Sequence, residues 1–165
     1  MTMSPEFERV PAPRIAWAAF DKAVPGAIAA LRALGQAVEA AGLAKPLTEL
    51  VKVRVSQING CAFCLKLHLD WAREAGVPPV QLDMLATWRE VNCFDARQRA
   101  ALAWAEGLTH MSAHHVEDDL HAAVLKHFTE VELAALTAAV ANINAWNRIA
   151  GALRFSPPGM PRHDG

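Results

Sequence analysis

Apolar residues in this chain return at helical intervals and nowhere sustain the strict alternation of a half-buried strand, which restricts the fold to packed helices. Leu47, Leu50, Val51, Val55 and Ile58 show the pattern best, falling on one face of a helix that opens at Lys45-Pro46-Leu47-Thr48. Proline and glycine mark the boundaries. Ile15 to Val24 reads as a short helix broken at Pro25-Gly26, and Ala27 to Ala41 as a second that stops at Gly42. An Asn59-Gly60 turn starts a helix over Cys61 to Ala75, closed by Gly76 and Pro78-Pro79. A short helix follows over Pro79 to Thr87. Asp95 has the character of an N-cap for Ala96 to Thr109, and Val116 to His127 is the next helical stretch. Thr129-Glu130-Val131-Glu132 is a capping-box pattern leading a long last helix to about Leu153.

These elements predict an all-α, single-domain helical bundle of six to eight helices. A chain of 165 residues supports one ordinary core and is short for two. Residues 1–13 are expected to be a flexible leader, 14–155 the helical domain, and 156–165 a tail that frays after Pro157-Pro158-Gly159. A formal net charge of -1 gives no reason to expect nucleic acid or an anionic membrane as partner. The longest apolar run, Leu133 to Ala141, is about half of what a bilayer span requires. Met1 to Pro13 lacks the apolar core of a signal peptide, so the expected location is the cytoplasm. The three cysteines would leave one over in a disulfide framework, and a reduced, chemically active pair is the simpler expectation.

That pair is Cys61 and Cys64, followed by His68. At about 100° per residue the three fall within an arc of roughly 60° on one helix face. Two sulfurs and an imidazole beside a helix start suit dithiol redox chemistry, because the thiolate is the reacting form and its pKa falls near helix N-termini and cationic histidine. Glu49 lies twelve residues before Cys61 on the preceding helix. Whether it reaches the cysteine face depends on how the two helices cross. A zinc site would need Glu49 and His68 to complete a tetrahedron with the sulfurs; no second C-x-x-C is present, and no metal is expected.

Glu49, Cys61, Cys64 and His68 reproduce E-x11-C-x2-C-x3-H, and with Val55-Ser56-Gln57-Ile58-Asn59-Gly60 and Asn144-Ala145-Trp146-Asn147-Arg148-Ile149 the chain resembles the alkyl hydroperoxidase AhpD-like family. That family lies within the carboxymuconolactone decarboxylase superfamily, and the resemblance, to its short single-core branch, spans about residues 45–152. It implies an all-helical peroxidase that assembles as a homo-oligomer, a trimer or a hexamer. Glu49 and His68 would relay protons; one cysteine would attack a hydrogen peroxide or small organic hydroperoxide substrate, and the other would close the disulfide. An external dithiol reductant, thioredoxin-like or lipoyl, would reset the pair, and no organic cofactor is implied. By resemblance Cys64 is peroxidatic and Cys61 resolving, whereas the helix dipole favours Cys61 as the more readily ionised sulfur. The best-known members carry a second histidine between the cysteines where this chain has Phe63, which puts strong peroxidase turnover in question. A carboxymuconolactone decarboxylase-type lyase and a non-catalytic redox-sensing helical oligomer are the alternative functions.

Other residues have plainer readings. Cys93 reads as a small apolar filler. His110, His114, His115, His121 and His127 read as solvated, and Glu117-Asp118-Asp119 as an acidic first turn. Trp71, Trp88, Trp104 and Trp146 suit packing anchors. Asn147 and Arg148 could line the pocket or bridge subunits, with a structural ion pair favoured for Arg148.

Overall fold

The computed structural model describes residues 12–111, 113 and 115–160, and those residues form eight α-helices, one 3₁₀ segment and no strands. Residues 1–11 of the expected leader, 161–165 of the expected tail, and His114 lie outside the described residues. The helices are α1 Trp17–Ala23, α2 Pro25–Ala40, α3 Lys45–Ile58, α4 Ala62–Glu74, α5 Pro79–Met84, α6 Ala96–Thr109, α7 Asp118–Val124 and α8 Glu130–Leu153, with the 3₁₀ segment Leu85–Glu90 after α5. The all-α class and the helix number agree with the sequence.

Local chemistry accounts for most boundaries. Asp95 and Thr129 each cap their helix in a reciprocal capping box, with Gln98 and Glu132 as the returning side chains. Pro25-Gly26, expected to break the chain, instead opens α2, because proline at the first helical position loses no intrahelical hydrogen bond. The end of α3 is a Schellman motif: Gly60 adopts φ 63°, its N–H reaches Gln57 O at 3.2 Å, and Cys61 N–H reaches Ser56 O at 3.1 Å. Cys61 is therefore the N-cap of α4 and not its first residue.

Helix α3 is the centre of the molecule, in contact with α4, α6 and α8. Val51 and Val55 belong to a core with Trp104, Leu136, Val140 and Ile143, whereas Leu50 and Val53 belong to a second with Leu82, Leu85, Trp88 and Leu102. Each such side chain contributes about 1.5–3 kcal/mol by leaving water. A helix covered on both sides also buries its polar residues. Thr48, Glu49 and Ser56 are all buried with it, and each must find a hydrogen-bond partner inside.

The segment before α1 meets the end of α8, and the residues that follow each, Trp17 and Phe155, pack against Phe63 in the first turn of α4. Arg14 N–H bonds to Leu153 O at 2.9 Å and its guanidinium to Ala152 O at 3.0 Å, using carbonyls that the end of α8 leaves open. Arg154 takes the left-handed conformation at φ 56° and turns Phe155 back into the core. Trp17, Phe20, Phe63, Trp146 and Phe155 then form one aromatic cluster, with Trp17 stacked on Phe63 at 5.8 Å and edge-on to Phe155 at 5.4 Å.

Candidate active site

The α3–α4 hairpin brings Glu49 and His68 together. The two residues stand at comparable distances from the Asn59-Gly60 turn, so pairing the helices sets one against the other. Glu49 Oε2 lies 2.7 Å from His68 Nδ1. Glu49 is 1% exposed and His68 7%. The other carboxylate oxygen accepts from Lys52 Nζ at 2.9 Å, one helical turn along α3. Burial alone would push the Glu49 carboxyl up, but the hydrogen bonds and charges of His68 and Lys52 outweigh it and hold the group below the usual carboxylate range. His68 is displaced downward chiefly by burial, against the pull of Glu49. The pair is thus a carboxylate and a neutral imidazole. Nδ1–H donates to Glu49, and Nε2 is left as an acceptor.

The cysteines form a second pair at the start of α4, 2% and 3% exposed and both free thiols. Cys64 N–H donates to Cys61 Sγ at 3.4 Å, the cap that closes the first turn. The neighbouring Cys64 side chain, helped by the Cys64 and Phe63 backbone N–H groups and by Asn147, outweighs burial and lowers Cys61 to about 7. The neighbouring Cys61 side chain, and burial, raise Cys64. Of the two sulfurs, Cys61 is therefore the one that ionises first. This agrees with the helix-dipole argument and not with a simple reading of Cys64 as the resting thiolate.

The structure joins Glu49 to His68 and Cys61 to Cys64. No direct hydrogen bond links the two pairs among the described residues. Nor do those residues contain a group of three or more His, Cys, Asp or Glu side chains able to hold a metal ion. His68 also meets Trp71 edge-on at 5.1 Å, and Trp71 is 39% exposed, so the imidazole lies just inside the surface.

Two members of the site were not singled out from sequence. Lys52 had a readable signal, since a cation three residues after Glu49 shares its helix face. The polar lattice tying the α3–α4 turn to α8 had only a weak one. In it Asn59 Nδ2 donates to Asn144 Oδ1 and Asn147 Oδ1, both at 2.9 Å, and Asn147 Nδ2 donates to Ser56 Oγ at 3.1 Å. From sequence Asn147 reads as a residue that lines the pocket or bridges subunits. Arg148 makes no ion pair among the described residues; it hydrogen-bonds the carbonyl and side chain of Asn144, both at 3.0 Å. Trp88 and Trp104 are core residues, as expected. Cys93 is only half-buried, and it packs against the second core.

Comparisons with known proteins agree with this architecture. Residues 25–107, half of the chain, match the carboxymuconolactone decarboxylase family. An uncharacterized protein, YdfG of Bacillus subtilis (strain 168), is 37% identical over 105 residues, covering 64% of this chain and 71% of that one. A crystal structure from Agrobacterium tumefaciens, of the protein of unknown function ATU0492 put forward as an antioxidant defence protein AhpD, superposes with a TM-score of 0.84 at 34% identity. That match covers 90% of this chain and 100% of the other. The alkylhydroperoxidase AhpD core of an uncharacterized peroxidase-related protein from Ralstonia eutropha JMP134 gives a TM-score of 0.75 at 26% identity, covering 86% and 75% of the two chains. With a family match over half its length and an AhpD-like fold throughout, the chain belongs to the carboxymuconolactone decarboxylase family as an AhpD-like member.

Proposed function

We propose that this protein is a cysteine-based peroxidase and dithiol oxidoreductase, reducing hydrogen peroxide or small organic hydroperoxides through a Cys61–Cys64 thiol/disulfide cycle. One observation carries the reading: a buried Glu49–His68 proton-relay pair on the hairpin that also caps its helix with a low-pKa sulfur. In the resting site Cys61 ionises first and Cys64 keeps its proton. The attacking role falls to Cys64 by resemblance to the family, and Cys64 must lose its proton before it can react. Cys64 sulfur takes the distal oxygen of the O–O bond, the alcohol or water leaves with a proton, and Cys64 becomes a sulfenic acid. Cys61 displaces water from that sulfur to close the disulfide. His68 Nε2, oriented by Glu49, is the base through which the pair exchanges protons with solvent.

Two electrons must then return from an external dithiol, thioredoxin-like or lipoyl. A reducing compartment such as the cytoplasm suits thiols that rest unpaired; among the described residues no helix is long and apolar enough to cross a membrane. Assembly as a trimer or hexamer is part of the proposal. The lyase alternative gives the dithiol no task.

Stopped-flow oxidation of the reduced protein by hydrogen peroxide and by an alkyl hydroperoxide tests the reading, with mass spectrometry of the products. A rate at least 10²-fold above free thiol, ending in a Cys61–Cys64 disulfide, is expected from relay-assisted chemistry. A rate equal to that of free thiol would reduce the assignment to thiol–disulfide exchange.

A further inference from the structure

The Lys52 side chain is only 15% exposed on α3, a degree of burial that a lysine tolerates with a charged partner. That partner is Glu49, one turn back. Glu49 Oε1 accepts from Lys52 Nζ at 2.9 Å, while Oε2 meets His68 Nδ1 at 2.7 Å. Each carboxylate oxygen therefore has its own donor. The charge count then decides what His68 can do. Lys52 and Glu49 together are neutral, so a proton taken at His68 Nε2 gives the buried cluster a net positive charge, which burial disfavours. Without Lys52 the same proton would complete a neutral Glu49–His68 ion pair and stay there. Lys52 and His68 are the charges that act on Glu49, and Glu49 and Lys52 those that act on His68. Ionised groups on the elements packed around the pair are engaged elsewhere: Glu106 of α6 with Arg54 and Arg89, Lys66 with Asp70 on α4, and Arg148 of α8 with Asn144.

We propose that Lys52 is a positioning residue of the relay: its ammonium holds Glu49 as an anion and denies His68 a lasting proton, so that the imidazole passes protons on and does not store them. Lys52 acts through Glu49 and not on the sulfurs. A general base is most useful when it is empty at the working pH and its tautomer is fixed. Glu49 fixes the tautomer by accepting from Nδ1, and Lys52 keeps Nε2 empty. The direction of its action is downward on Glu49 and on His68 alike, in keeping with that task. The assignment rests on the relay reading of Glu49 and His68.

The test is the imidazole titration of His68, followed by NMR of the reduced protein carrying isotope-labelled histidine, with His68→Gln identifying the signal. It needs no peroxide, so a protein without peroxidase activity still reports on Lys52. The pH–rate profile of peroxide oxidation reports separately on the relay. Lys52→Met is expected to raise the His68 titration by about one unit, a tenfold larger ratio of imidazolium to imidazole at a given pH. The acid limb of the rate profile should move upward by the same amount. Lys52→Arg, which keeps the charge, should leave both near those of the parent. A purely structural role would lower the melting temperature of Lys52→Met and leave the titration where it was. An unchanged titration in folded Lys52→Met overturns the proposal. Should that variant not fold, a His68 that is imidazolium at pH 7 in the parent overturns it equally. A shifted titration with an unshifted rate profile would uphold the action of Lys52 on His68 and overturn the relay.

Discussion

His68 Nδ1 and Glu49 Oε2 meet at 2.7 Å in a part of the hairpin where neither side chain is solvated, and the carboxylate is shared with Lys52. Replacing Glu49 by glutamine therefore does two things. It frees the imidazole from its fixed tautomer, and it leaves Lys52 without its anionic partner. A fall of about 10²-fold or more in the oxidation rate is expected, together with a stability loss of roughly 3 kcal/mol. Stopped-flow kinetics and urea denaturation of the same variant separate the two. A rate within a few-fold of the parent would remove Glu49 from the relay.

Acid should destabilise the fold in two steps of the same sign. His68 is held below its ordinary 6.5 in the folded chain, so on acidification the unfolded chain takes up that proton first, and stability falls from about pH 6.5 downward. Glu49 is held below 4.5, so its contribution is complete above that value and is lost as pH falls through the folded pKa. The slope from one such group cannot exceed about 1.4 kcal/mol per pH unit. Substituting His68 by glutamine should flatten the dependence just below pH 6.5 and leave the more acidic portion. Denaturation midpoints measured from pH 7 to about pH 2 would show this.

Alkylation should find Cys61 before Cys64. With Cys61 at about 7 and Cys64 raised, brief iodoacetamide treatment of the native reduced protein at pH 7 is expected to label Cys61 predominantly. Cys64→Ser replaces the thiol donor by a hydroxyl, a similar donor, and should leave Cys61 acidic; Cys64→Ala should raise it. Peptide mapping decides. Sulfenic acid trapped during peroxide treatment is expected on Cys64 in Cys61→Ser, and its appearance on Cys61 in Cys64→Ser would exchange the proposed roles.

Restoring a histidine at Phe63 should cost stability before it benefits chemistry. Phe63 stacks on Trp17 and meets Phe155 edge-on at 5.5 Å. Phe63→His forfeits part of both contacts, a loss of roughly 1–3 kcal/mol. Helix α1, which has no fully buried residue of its own, should loosen most. Hydrogen exchange resolved to α1 would reveal it; protection equal to the parent would mean that Phe63 does not hold the helix.

Glu106 gives a purely structural prediction. Its carboxylate accepts from Arg54 Nε at 2.7 Å, Trp88 Nε1 at 2.9 Å and the Arg89 guanidinium, joining α3, α6 and the 3₁₀ segment. Glu106→Gln should destabilise by roughly 2 kcal/mol and leave thiol reactivity unaltered. A change in the thiolate titration would show that this network reaches the site.

What sequence could and could not disclose follows from the range of each interaction. Asp95, Thr129 and Gly60 act on residues within a turn of themselves, and their caps were readable from adjacent letters. The spacing of Glu49, Cys61, Cys64 and His68 was readable as well, yet the meeting of Glu49 with His68 was not, because it depends on the crossing of α3 and α4. Pro25 reads as a break in the sequence yet begins α2, since proline is equally at home ending one helix or beginning another. Asn147 with Ser56, Arg54 with Glu106, and Trp17 with Phe63 are partners chosen by tertiary packing across dozens of residues, and no local periodicity announces them.

Cys61 sulfur receives the Cys64 N–H and so fastens the first turn of α4. Architecture and reactivity are vested in one atom. In the proposed cycle Cys61 turns that sulfur on Cys64, so closing the disulfide would release the cap and loosen the start of the helix.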